Sequence, residues 1–108
     1  MRLIKKNRKF IANNKTNVVL KDVGKVILQN NELLSLQKSN KKNEICAKEW
    51  GFYLTPSINK RLKKQNLIVV LTKNNINKKF LMLVNKSKLK IFKNYCKKES
   101  LKIINWIK

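Results

Sequence analysis

EICAKEWGFYLTPSINKRLKKQN, residues Glu44 to Asn66, carries Gly51 (one of two glycines), Pro56 (the only proline) and the aromatics Trp50, Phe52 and Tyr53. Elsewhere the chain is mostly Lys, Asn and aliphatic residues, so side-chain variety concentrates here. Ile45 to Leu54 is apolar and aromatic and reads as a strand ending near Gly51 or just past it. Thr55 and Pro56 then read as a helix start, with Thr capping free N–H groups and Pro preorganised for the first helical position. Ile58 and Leu62, four apart, are expected to pack inward, and Asn66 suits the left-handed residue that closes a helix. The spacing predicts strand, cap and a short basic helix over about 56–65.

A strand running into a helix N-terminus favours anions, because unpaired N–H groups and the helix dipole both attract negative charge. Thr55 and Ser57 add hydroxyls, Asn59 an amide, and Arg61 a guanidinium able to grip phosphate or carboxylate with two hydrogen bonds. Arg61 is the only Arg after Arg8. Two readings stand side by side. In one, these four residues bind a phosphorylated or carboxylated small molecule. In the other, Thr55 only caps, and Arg61 pairs with Glu44 or Glu49 to hold helix against strand.

Working outward, Leu67 to Thr72 (LIVVLT) is a continuous β-branched and aliphatic run and predicts a buried central strand. Residues 73–79 form a polar hairpin loop and Phe80 to Val84 (FLMLV) its partner strand. Asn85 or Ser87 caps a second helix over about 87–98, with Leu89, Phe92 and Cys96 on one face and Lys88, Lys90, Lys93, Lys97 and Lys98 largely outside. Leu101 to Ile107 closes as a strand. Upstream, Asn17 to Leu28 reads as two short strands around a turn at Asp22–Gly24, Asn30–Asn31 as a turn, and Glu32 to Gln37 as a further strand. Gln37 to Asn43 (QKSNKKN) has the composition of an exposed loop. Residues 1–16 read as a basic arm or an edge strand pinned by Ile4 or Phe10, with a targeting segment also open; residues 17–108 read as one domain. The expected architecture is α+β: a mostly antiparallel sheet with two helices (about 56–65 and 87–98) packed on one face.

The chain has 108 residues and a formal charge of +22, from 27 basic and 5 acidic residues. Residues 55–108 contain 15 of the basic groups and one acid. Such an excess attracts polyanions. AT-rich codons would raise Lys, Asn and Ile together, and would also favour Lys over Arg, so part of the charge has a compositional explanation. With no His and scattered acids, paired acid–base groups are missing, which argues against an enzyme. Cys46 and Cys96 are too few for a zinc site or a disulfide framework, so buried, reduced thiols and a cytoplasmic location are expected, with no cofactor or metal. No apolar run is long enough to be a transmembrane segment.

The segment W-G-F-Y-L-T-P-S-I-N-K-R-L (Trp50 to Leu62) resembles a stretch in small bacterial proteins of unassigned function. The similarity extends through FLMLV and the final N-W-I, about two thirds of the chain. It implies no activity, cofactor or site, and it makes the high charge a peculiarity of this sequence.

The leading expectation is a non-enzymatic protein that binds RNA or a ribonucleoprotein through phosphate contacts tolerant of sequence. Lys60, Lys63, Lys64, Lys90, Lys93 and Lys97 would meet the phosphates, with Trp50 and Tyr53 available for stacking. The alternative is a small-ligand binding or accessory protein using Thr55, Ser57, Asn59 and Arg61.

Overall fold

The structure, a computed structural model, describes residues 1–107. Eight strands form three antiparallel sheets. β1 (Arg2–Asn13) pairs with β2 (Val18–Ile27); β3 (Leu33–Lys38), β4 (Lys41–Lys48) and β5 (Gly51–Thr55) form a meander. In the third sheet β6 (Leu67–Lys73) lies between β7 (Lys79–Asn85) and β8 (Lys102–Ile107). Two helices complete the described residues: a single turn, α1 (Arg61–Lys64), and the longer α2 (Leu89–Lys98), which comes after a 3-10 turn over Lys86–Lys88.

β6 is the centre because its residues are apolar at nearly every position, so it has no face to give to water. Val70 and Thr72 are fully buried, with Leu67 and Val69 nearly so. Alternation sends these pairs to opposite sides. Leu67 and Val69 pack with Leu62 of α1 and Ile107 of β8. Val70 instead pairs across the strand with Trp106, whose ring meets Phe92 of α2 edge-on at 6.3 Å. The mostly antiparallel α+β architecture is therefore present, with one long helix and one short one. The short helix α1 meets β6, through Leu62 against Leu67 and Val69, whereas α2 lies against β7 and β8.

Several local expectations are corrected. The Ile45–Leu54 stretch is two strands, because the chain reverses at Glu49–Trp50 and Gly51 takes a φ of 139° that side-chain-bearing residues rarely adopt. The helix expected over 56–65 is only α1. Its N-cap is Lys60, without a side-chain cap, while Thr55 ends β5 and Pro56 is buried. The carbonyl of Ser57 accepts the N–H groups of Lys60 and Leu62, so residues 57–60 form a turn and Ile58 remains exposed. Leu62 is buried as expected, and Asn66 has a left-handed φ of 63°. The Gln37–Asn43 loop shrinks to a two-residue turn at Ser39–Asn40, with Ser39 at positive φ.

At the N-terminus, the segment read as arm or strand is strand β1. Asp22–Gly24 does not turn but runs within β2: Asp22 stands opposite Arg8, and Gly24 opposite Lys5. The reversal falls at residues 14–17, where Asn17 takes a φ of 55°. Gly24 serves close approach, since a Cβ there would lie 2.8 Å from the Ile4 carbonyl oxygen.

Among the described residues the buried set is small: Cys46, Ala47, Pro56, Leu62, Leu67, Val69, Val70, Thr72, Val84 and Cys96. The accessible surface is 8762 Å². A compact monomer of 12.8 kDa would expose roughly 6,300 Å². The radius of gyration, 15.5 Å, likewise exceeds the ~13 Å expected at this length.

Candidate nucleic-acid interface

The β4–β5 hairpin gathers the aromatic residues of the central stretch. Trp50 sits in the turn and is 72% exposed. Positive φ at Gly51 interrupts the strand alternation, so Trp50 does not share a face with Phe52. It stacks on Tyr53, with ring centroids 6.3 Å apart and planes inclined by 21°. Phe52 and Leu54, also exposed, occupy the other face of β5.

Lys48 completes the group. Its Nζ lies 5.8 Å from the centre of the Tyr53 ring and donates a 2.8 Å hydrogen bond to Asn31 Oδ1. Asn31 is held in turn by its N–H bond to the Ala47 carbonyl. The adjoining Cys46 thiol, through hydrogen bonding and then charge, raises the Tyr53 hydroxyl above its ordinary value, so the ring is neutral at physiological pH. Two stacked rings, both with open surface, beside a fixed cation can hold a planar base and its phosphate together. The single-strand reading of residues 45–54 hid this arrangement. A hairpin turning at Glu49–Trp50 sets Lys48 opposite Gly51 and Cys46 opposite Tyr53, so Lys48 lies diagonally across from Tyr53.

The four residues of the expected anion site are spread out. Thr55 is half-buried at the end of β5 opposite Glu44, Ser57 and Asn59 are exposed in the turn, and Arg61 is the exposed first residue of α1. A helix of one turn carries little macrodipole, so it adds little pull on an anion. Arg61 makes no ion pair with Glu44 or Glu49 among the described residues; Glu44 instead lies 3.9 Å from Lys42 Nζ. The helix-to-strand brace expected of Arg61 is therefore not its role.

Lys60, Lys63 and Lys64 are exposed at α1, and Lys90, Lys93 and Lys97 along α2. The first set lies on the single turn beside β6 and the second on the helix beside β7 and β8. Within α2 the spacing of three and four residues aligns Lys90, Lys93 and Lys97 in one row that flanks the face of the buried Cys96.

Sequence reasoning missed Gln65. Its side-chain amide accepts the Lys42 N–H at 2.8 Å and donates to the Lys42 carbonyl at 2.9 Å. Lys42 lies two residues beyond Glu44–Thr55, the last β4–β5 pair, so its outward backbone groups lack a strand partner there. Gln65 substitutes for one, and Lys41 Nζ bonds the Gln65 carbonyl beside it. These bonds dock the β3–β4 hairpin onto α1 and the start of β6. Nothing in local sequence marks them.

Burial raises the Cys96 thiol, leaving it protonated and a poor nucleophile. Both cysteines are free and buried. Among the described residues no three metal-ligating side chains come together, and no helix is long and apolar enough to cross a membrane. Compared with known protein families, curated proteins and solved structures, the chain has no match.

Proposed function

We infer that this chain binds single-stranded RNA, stacking a base on the β4–β5 hairpin and holding the backbone through lysines in a manner tolerant of sequence. The observation that carries the reading is the exposed Trp50–Tyr53 stack with Lys48 fixed over the Tyr53 ring. A large aromatic surface in water costs hydrophobic free energy unless something covers it, and every base offers a π-face that can. The formal charge of +22 supplies long-range attraction, and most of the few acids are engaged locally. Asp22 faces Lys6 and Arg8, Glu32 the Met1 ammonium, and Glu44 Lys42.

The test is a salt titration of binding to a short oligouridylate, comparing wild type with Trp50→Ala and with Lys63→Ala/Lys64→Ala. Stacking is worth about 1–3 kcal/mol per base, so Trp50→Ala is expected to weaken binding by roughly fivefold to a hundredfold at every salt concentration. Loss of a phosphate contact instead lowers the log–log salt slope by about 0.7. Binding that ignores Trp50 and vanishes at modest salt would reduce the charge to nonspecific attraction and end this reading.

A further inference from the structure

A groove of about 810 Å³ runs between the β3–β4 hairpin, the β6–β7 edge and α2, at the opposite end of β4 from the aromatic turn at Glu49–Trp50. Leu36, Leu83, Ile91 and Tyr95 line it while remaining exposed, and Leu67, Val84 and Phe92 lie deeper. Its rim is cationic: Lys38, Lys41, Lys42 and Lys88 surround it, and no acidic residue lines it. Lys41 is engaged by the Gln65 carbonyl and Lys42 by Glu44 at long range, whereas Lys38 and Lys88 make no ion pair among the described residues.

We propose that this groove is a docking site for an acidic amphipathic helix of another protein, its apolar stripe on Ile91, Leu83 and Leu36 and its carboxylates against Lys38 and Lys88. Three observations lead there. The chain exposes roughly 2,500 Å² more than a compact monomer would, well above the ~800 Å² that each partner buries in a standard interface. The apolar part of the lining is mostly aliphatic, with Leu36, Leu67, Leu83, Val84 and Ile91 against Phe92 and Tyr95, which suits the side chains of a helix laid in a groove better than the flat faces of bases. The uncompensated rim selects a negative partner and repels a second copy, which would also carry +22.

The probe is a synthetic helical peptide of about 18 residues with Leu at i, i+3, i+4 and i+7 and Glu on the remaining face. A scrambled peptide of the same composition is the control. Ile91→Glu places a carboxylate in the apolar stripe at a site 63% exposed, so the variant should fold; equal thermal melts check this. The expected result is binding of the amphipathic peptide, about tenfold or more weaker for the scrambled one and for Ile91→Glu. Lys38→Glu/Lys88→Glu should weaken it similarly, and Trp50→Ala should not. Equal binding of the two peptides, or indifference to Ile91→Glu, overturns the proposal. So does a matching loss of oligouridylate affinity in Ile91→Glu, which would make the groove part of the RNA surface.

Discussion

Gln65→Met tests whether one side chain holds the two larger sheets in register. Met keeps nearly the volume and the helix propensity of Gln while deleting both its donor and its acceptor. Two hydrogen bonds to Lys42 disappear, at 2.8 and 2.9 Å in the wild type. Each is worth about 0.5–1.5 kcal/mol net, and water can reach the exposed Lys42 backbone once they are gone, which places the loss toward the low end, about 1–2 kcal/mol. For a domain of this size that corresponds to a fall in Tm of roughly 5–10 °C. Circular dichroism melts at fixed salt measure it. Lys64→Met, one residue away on an exposed position, is the control and should be neutral. A Gln65→Met melt within about 2 °C of wild type, or an equal loss in Lys64→Met, would refute the view that the amide supplies the missing strand partner.

Gly24→Val should disturb the β1–β2 ribbon, because its Cβ would meet the Ile4 carbonyl oxygen at 2.8 Å. Hydrogen exchange should show lost protection around Leu3–Lys5 and Gly24–Val26 while β6 keeps its own; intact protection in both would show that the ribbon takes the side chain without opening. Thr72→Val should be neutral or slightly stabilising in a denaturant titration. The buried hydroxyl has only a long 3.4 Å contact to the Phe80 carbonyl and a 3.8 Å contact to the Met82 sulfur. A loss above about 1 kcal/mol would mean those contacts are stronger than their lengths imply. Stability should also depend on pH in the acid range. Desolvation pulls Asp22 upward, but the Gly24 N–H bond and the charges of Lys6 and Arg8 outweigh it and leave the pKa below its ordinary 3.8. Glu32 is lowered from 4.5 by the Gln29 N–H and the Met1 ammonium. Both carboxylates are depressed in the folded state, so their contribution is complete above the ordinary values and is lost as pH falls through the folded ones. Asp22→Asn should flatten the decline in melting temperature between about pH 5 and pH 3; an unchanged slope would place the acid sensitivity elsewhere.

The functional surface divides along a physical line. Stacking on Trp50 and Tyr53 is short-ranged and resists salt, whereas attraction to the lysines is long-ranged and screened within about 8 Å at physiological ionic strength. A titration that varies salt and side chain together therefore separates a built site from bulk charge.

Sequence alone determined the elements whose signals are local. LIVVLT can only bury itself as a central strand, KNNINKK must turn, Asn66 suits a left-handed stop, and Asn85 caps the 3-10 turn leading into α2 by accepting the Ser87 N–H. The α+β class and the antiparallel habit arise from those pieces. Tertiary structure decided whatever depends on pairing at a distance. Asp22–Gly24 has turn composition, yet β1 neutralises the Asp and needs the missing Cβ, so it becomes strand. The apolar run around Gly51 folds back because Phe52 to Thr55 can pair with Glu44 to Ala47, and only that reversal sets Lys48 over Tyr53. Gln65 looks like any polar helix end, and its role appears only where β5 stops short of Lys42. Local propensity acts within a few residues of the chain, whereas a ladder partner comes from elsewhere in it, and that partner decides which of two permitted local conformations survives.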